Sequence, residues 1–309
     1  MTGVTVRVPA KLNLQLAVGP PRADGYHDLV TVFHAVSLFD EITAEPARRD
    51  GVSVSGEGAD RVPADGDNLA LRAVSALRAE VPSAPGVHIT IAKRIPVAAG
   101  LAGGSGDAAA ALVACNELWA GGFGPPQLAE IAARVGSDVA FALLGGTAVG
   151  RGRGEQLTPA LAPATQYHWV LAFADGHLST PEVYAALDRQ RAREQVPAEP
   201  GLDAALMSAL RSGDARLVGR ALSNDLQPAA LSLFPALRKT LAAGLELGAL
   251  GALVSGSGPT CVFLAASADR ALDLAASLSG AGVCRSVARA SGPVPGAAIV
   301  SGASVTGPR

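Results

Sequence analysis

The sequence predicts an α+β fold in two parts. Three observations carry this: period-two strands near the N-terminus, helices set between strands without regular alternation, and a glycine-rich strand-to-helix junction. Val4-Thr-Val-Arg-Val8 and Leu12-Asn-Leu-Gln-Leu-Ala-Val18 alternate apolar and polar residues, so both read as strands. Residues 20–27 are rich in turn formers, and strand character returns over 29–38 and 52–55. Residues 67–81 read as a helix capped by Asp67 or Asn68, with Leu69, Val74 and Leu77 facing the core. A strand over 87–92 leads into the glycine junction. A helix over 107–119 follows, with Ala108, Ala111, Leu112, Cys115 and Trp119 as its buried stripe, and Pro125-Pro126 open another helix over 127–134.

Gly150-Arg-Gly-Arg-Gly154 marks a composition break, which predicts domains spanning 1–155 and 156–309. Beyond it the pattern predicts a strand over 167–173, a helix after Ser179-Thr-Pro-Glu182, and an arginine-rich loop over 188–201. Several helices, two strands flanking Ser255-Gly-Ser-Gly258, another helix and a strand over 283–289 follow. The Gly, Ser and Pro after residue 293 predict a partly disordered tail.

The 309 residues allow two domains with ample core. A formal net charge of −2 gives no electrostatic case for nucleic acid or an anionic membrane. No apolar run of about 18 residues escapes Gly, Pro or a charge, and the N-terminus has no secretory pattern. The three cysteines, Cys115, Cys261 and Cys284, are widely spaced in apolar settings; they read as thiols in a reducing cytoplasm and predict no metal site. There are three lysines, Lys11, Lys93 and Lys239, against 22 arginines. Such a bias singles them out as places where a compact ammonium matters.

The junction Ile95-Pro-Val-Ala-Ala-Gly-Leu-Ala-Gly-Gly-Ser-Gly-Asp107 suits a phosphate. Small residues let backbone amides approach a ligand, and the following helix start adds unpaired N–H groups and partial positive charge. Ser105 follows Gly104 where a Walker loop needs Gly-Lys, and Ala102 occupies the second glycine of a dinucleotide fingerprint, so neither applies. Three islands join this loop: Lys11 with Arg22-Ala-Asp-Gly-Tyr-His27, Asp138 in an apolar segment, and Ser255-Gly-Ser-Gly258. A lone strand lysine snorkels to the surface as often as it works, and an aspartate set like Asp138 is usually a helix cap or turn former. As a general base, Asp138 needs a cationic neighbour to stay ionised, and Lys11 is the candidate.

Together the islands resemble the motifs of the GHMP kinases, in the same order and over nearly the whole chain. Ala10-Lys-Leu-Asn-Leu14, Arg22-x-Asp-Gly-Tyr-His27, Asp67-Asn-Leu69, Lys93-Arg-Ile-Pro96, the glycine loop, Gly136-Ser-Asp-Val139 and Ser255-Gly-Ser-Gly-Pro259 carry the likeness. It implies an N-terminal half like the second domain of ribosomal protein S5 and a ferredoxin-like C-terminal half. It implies transfer of the ATP γ-phosphoryl group to an alcohol. The Arg-x-Asp-Gly-Tyr-His segment points to the tertiary 2-hydroxyl of cytidylyl-methylerythritol, on the non-mevalonate route to isoprenoids.

In that likeness Asp138 takes the hydroxyl proton and Lys11 holds Asp138 and the hydroxyl. The backbone of Pro96, Val97, Ala98, Ala99, Gly100, Leu101, Ala102, Gly103, Gly104, Ser105 and Gly106 wraps the triphosphate, with Lys93 and Asn68 on the nucleotide. Asn13, Tyr26, His27, Thr180 and Pro181 hold the acceptor. ATP chemistry leads us to expect Mg²⁺ held mainly by water and phosphate, with Ser105 nearby, and the chain is expected to be a cytoplasmic monomer or weak homodimer. Homoserine or mevalonate kinases would share the loop but lack the Tyr26-His27 platform, and a dead binding module would be free to lose Lys11 or Asp138. Ala98 and Ala102 stand where glycine is common, Gly106 where serine is, and Ala140 where proline is. The two alanines therefore predict negative φ at positions 98 and 102.

Overall fold

A computed structural model describes residues 3–161, 163, 165–192, 197 and 199–301. In chain order the first half runs β1 Val4–Pro21, β2 His27–Ala47, β3 Gly51–Gly56, α1 Leu69–Arg78, β4 Gly86–Lys93, α2 Gly103–Leu118, α3 Pro125–Val135, α4 Ser137–Leu144, β5 Thr147–Arg151 and β6 Gln156–Pro159. The second runs β7 Tyr167–Phe173, α5 Thr180–Arg191, α6 Ala204–Ser212, α7 Ala215–Arg220, β8 Ser223–Asn224, α8 Gln227–Leu233, α9 Leu237–Glu246, β9 Gly251–Val254, β10 Cys261–Ala265, α10 Ala268–Ala281, β11 Ser286–Gly292 and β12 Ala298–Ser301.

The strands form two sheets. The first has the order β12-β1-β2-β4-β3, with the β5–β6 hairpin joined to β2 and β8 to β1; the second is β11-β7-β10-β9. The α+β expectation therefore holds. The two N-terminal strand segments are one strand, β1, and the strand expected at 29–38 runs on as β2 to Ala47. They fuse because irregularities absorb the breaks in alternation: the β1–β2 register shifts between Pro9 and Ala10 and again between Asn13 and Gln15. Val4, Val6 and Val8, before the first shift, pack with the alanine-rich faces of α1 and α2. After it, Ala10, Leu12 and Leu14 pack with Trp169 and Leu171 of the second sheet. One strand thus serves two cores, and its odd positions 11 and 13 share the remaining face.

Helix α1 is capped by Asn68, whose side chain accepts from the Ala70 amide, and Val74 and Leu77 are buried as expected. Leu69 is only partly buried; Ala70 and Ala73 fill the core instead. Helix α2 begins at Gly103, four residues before the expected start, so Gly103–Gly106 are its first turn rather than loop. Glycine's low intrinsic propensity hides this start, and burial on nearly every side overrides it.

Three further expectations are corrected. The arginine-rich stretch is helical through Arg191, because Asp188 and Arg191 have fixed partners on distant elements: His27, and Val18 and Asp225, respectively; residues 193–196 and 198 lie outside the described residues. The last strand of the second sheet spans Ser286–Gly292 rather than 283–289. Beyond residue 293 the chain is not a loose tail as far as Ser301, since β12 pairs antiparallel with β1. Residues 302–309 lie outside the description. The Gly-Arg-Gly-Arg-Gly stretch ends β5 and makes the turn into β6, both in the first sheet.

Candidate active site

β1, the glycine junction, the start of α4 and the β9–β10 turn converge on one pocket of about 630 Å³. That is ample for a nucleotide and part of a second ligand. Lys11 and Asn13 project into it from β1, and Asp138 from the first turn of α4. Lys11 Nζ lies 3.6 Å from Asp138 Oδ2, so residues 127 positions apart in sequence meet as the motifs imply. Lys11 Nζ also donates to Asn13 Oδ1 at 2.7 Å; Asn13 Nδ2 donates to Thr31 Oγ1 at 2.8 Å, and that hydroxyl donates to the Gln15 carbonyl at 2.7 Å. The Phe33 ring lies 5.4 Å from the same nitrogen. The ammonium is thus fixed by a polar relay anchored in the β1–β2 ladder, with its side chain 10% exposed and that of Asp138 30%. Asp138 caps nothing through its side chain, so its carboxylate is committed to the pocket.

The junction lines the pocket over residues 96–100 and 102–105, while Leu101 and Gly106 are buried beneath it. It is tied down from both sides. The Lys11 amide donates to the Leu101 carbonyl at 3.1 Å, and Ser255 Oγ donates to the Gly100 carbonyl at 3.0 Å. At Gly100, φ is +74° and an added Cβ would stand 2.1 Å from the Ser255 carbonyl oxygen, so the third island seats the loop as well as closing a hairpin.

The expectation of negative φ at positions 98 and 102 is wrong. Ala98 has φ 54° and Ala102 φ 57°. The left-handed conformation persists because the cradle demands it: Ala102 occupies the N-cap position of α2 and its carbonyl accepts from the Gly106 amide at 2.9 Å. Ala102→Gly is therefore expected to stabilise the chain by about 0.5–1 kcal/mol, the relieved strain exceeding the added chain entropy. Denaturant unfolding checks it, and an unchanged or lower midpoint would contradict the strain.

Lys93 reaches the pocket wall, but its ammonium is occupied. It donates to Asp40 Oδ2 at 2.5 Å and Asp107 Oδ2 at 2.7 Å, with all three side chains buried. Asp40 Oδ1 accepts the amides of Arg94 and Ile95 at 2.6 and 2.9 Å. One ammonium thereby ties the entrance of the glycine junction to its exit on α2. Burial pushes the Asp107 carboxyl up to about 7, against the pull of Lys93, and its Oδ1 has no hydrogen-bond partner among the described residues. Burial alone would lower the Lys93 ammonium; the two carboxylates outweigh it and raise it. Asn68 lines the pocket with both amide atoms engaged, as helix cap and as donor to the Pro63 carbonyl.

At the other end, Thr180 lines the pocket and shares a 2.8 Å hydrogen bond with Ser257. Pro181, Tyr26 and His27 lie outside its lining. His27 is buried, with Nε2 2.9 Å from Asp188 Oδ1 and its ring centroid 5.0 Å from that of Tyr184. Tyr26 is 56% exposed, with the Arg153 guanidinium carbon 5.2 Å from its ring centroid. The motifs missed Asp40, Asp107, Tyr184, Asp188 and Arg153. Tyr184 and Asp188 lie four apart on α5 and face His27 together, a helical spacing that was readable in sequence. Burial raises the Tyr184 phenol, with the charge of Asp138 adding to the effect.

Among the described residues no group of three or more His, Cys, Asp or Glu could hold a metal, and no helix is long and apolar enough to cross a membrane.

The chain matches two family models, "GHMP kinases N terminal domain" over residues 68–146 and "GHMP kinases C terminal" over 206–284. It is 60% identical to a 4-diphosphocytidyl-2-C-methyl-D-erythritol kinase of Thermobifida fusca, over 97% of this chain and 99% of the relative. A kinase of the same description from Mycolicibacterium smegmatis is 57% identical, over 98% and 94%. A crystal structure of 4-(cytidine 5'-diphospho)-2C-methyl-D-erythritol kinase superposes with a TM-score of 0.74 at 35% identity, covering 93% of this chain and 98% of that one. A homoserine kinase from Cytophaga hutchinsonii superposes as well, TM-score 0.75, covering 97% and 98%, but at 20% identity that likeness speaks for the fold alone.

Proposed function

Since the chain belongs to the GHMP kinases, we propose that it phosphorylates the 2-hydroxyl of 4-(cytidine 5'-diphospho)-2-C-methyl-D-erythritol with ATP, giving the 2-phosphate and ADP. The observation that carries the chemistry is the Lys11–Asp138 pair standing in the same pocket as the glycine cradle. Phosphoryl transfer needs mainly position and charge. Asp138 accepts the proton as the hydroxyl oxygen bonds to the γ-phosphorus and the bond to the ADP oxygen breaks. Lys11 has three donors; Asn13 takes one and Asp138 attracts another, which leaves the third for the reacting oxygens.

Backbone amides among residues 97–100 and 102–105, which line the pocket from the junction into the start of α2, take the triphosphate. Asn13 acts chiefly by aiming Lys11. Tyr26, His27, Tyr184 and Thr180 form the acceptor end, with Asp188 fixing the His27 ring. Mg²⁺ belongs to this reading as a charge-neutralising partner of the triphosphate. A metal carried mainly by phosphate and water fits a pocket that offers the Ser105 hydroxyl and, among the described residues, no ligand cluster. We further assign the chain a nucleotide-binding half and an acceptor-binding half divided near residue 155. β6, β8 and β12, all beyond that residue, complete the first sheet and tie the halves together.

An acceptor panel with ATP tests the reading. Turnover is expected with the cytidylyl alcohol and not with homoserine or mevalonate; the reverse pattern would overturn it.

A further inference from the structure

Two lysines line the pocket, and they are held in opposite ways. The Lys93 ammonium is fully engaged, donating to the carboxylates of both Asp40 and Asp107. Lys11 is also buried, yet among the described residues it has one carboxylate, Asp138, at 3.6 Å, too long for a full hydrogen bond. Asn13 gives it a hydrogen bond but no charge. A buried ammonium needs further compensation to stay in place. The remaining partner is the Phe33 ring, whose centroid lies 5.4 Å from Nζ. A ring face attracts a cation through its quadrupole and claims no N–H in a directed bond.

Sheet register puts the ring there. Asn13 and Phe33 are direct partners across the β1–β2 ladder, and Lys11, paired with Ala35, is the diagonal neighbour. Phe33 also pairs with Ala148 of β5. Two residues further on, an added Cβ at Gly150 would stand 2.8 Å from Phe33 Cε2, so this glycine makes room for the edge of the ring. The ring stacks on Phe141 of α4, with centroids 4.8 Å apart and planes 27° apart. Phe141 follows Asp138 by about one helical turn. One buried side chain therefore touches Lys11 and the helix that carries Asp138.

On the basis of the phosphoryl-transfer reading above, we propose that Phe33 is a positioning residue of the reaction. Its ring holds the Lys11 ammonium beside Asp138 without consuming a hydrogen-bond donor, and so keeps the third N–H free for the reacting oxygens. A carboxylate in its place would claim that donor, as Asp40 and Asp107 do at Lys93. An aliphatic side chain would fill the space but offer the cation no face.

Site-specific replacement of Phe33 by mono-, di- and trifluorinated phenylalanine tests this. Each fluorine weakens the ring's hold on a cation at nearly constant volume, and ring-on-ring stacking survives. Turnover is measured with ATP and whichever acceptor of the panel above the wild-type protein phosphorylates. kcat is expected to fall stepwise, by about 10-fold for the trifluorinated ring and about 10- to 30-fold for Phe33→Leu. The KM for ATP should stay nearly unchanged throughout, as should the thermal midpoint across the fluorinated series. A kcat that is flat across that series would reduce Phe33 to packing and overturn the proposal, as would losses that track the thermal midpoint. Wild-type protein that phosphorylates no acceptor in the panel would overturn the kinase reading itself, and this assignment with it.

Discussion

Asp138→Asn is expected to lower kcat by about 10²–10⁴-fold while leaving the KM for ATP and the thermal midpoint nearly unchanged. The carboxylate makes no capping hydrogen bond in α4, so the amide removes a proton acceptor and the charge facing Lys11 but no other structural contact. The ammonium opposite does not become mobile either, because Asn13 still holds it. Steady-state kinetics with saturating acceptor measure the loss, and wild-type turnover in the variant would remove Asp138 as the base. Lys11→Met should cost a comparable factor. The double variant should be little worse than either single one, since groups that act as a unit lose their effect together. Independent, multiplying losses would mean that the 3.6 Å pair is a coincidence of packing.

The pair proposed to be catalytic was legible as a pair because its two residue types are out of place in their settings. Lys11 interrupts an apolar strand, Asp138 an apolar helix start, and the chain has few lysines to spare. The cradle was legible as a region but not in its conformation. Sequence rules forbid left-handed alanine where glycine is the usual choice, yet Ala98 and Ala102 both adopt it, because ties at Leu101, Gly100 and Gly106 over-determine the backbone.

What was not legible lies in long-range pairing. Asp40 sits in an unremarkable run, Leu38-Phe-Asp-Glu-Ile42, and nothing local says that it faces Lys93 and the amides of residues 94 and 95. Arg153 looked like part of a domain linker, and only the pairing of β5 with β2 brings it to the pocket. Strand lengths failed for a related reason. Bulges let β1 continue through breaks in alternation that otherwise signal an end.

Lys93→Met is expected to be the most damaging change to stability, about 3–5 kcal/mol near neutral pH. It would strand two carboxylates that are almost wholly excluded from water, Asp40 and Asp107. Asp40 would keep its two backbone donors, whereas Asp107 would lose its single partner and already has one oxygen without any. The loss should therefore depend on pH, with a sign fixed by Asp107. Its folded-state pKa, pushed up to about 7 by burial, lies above the ordinary carboxylate value. The folded protein thus binds a proton that the unfolded chain has shed, and that stabilising contribution fades as pH rises toward 7. Removing the opposing ammonium should raise this pKa further, so the variant's deficit should be smaller near about pH 5.5 than near about pH 8. Denaturant unfolding at the two pH values measures it, and a deficit that is flat or grows on acidification would contradict the assignment. The same substitution should raise the KM for ATP, because the ammonium joins the two ends of the glycine junction. A raised KM with unchanged stability would instead make Lys93 a direct nucleotide ligand and the buried triad energetically idle.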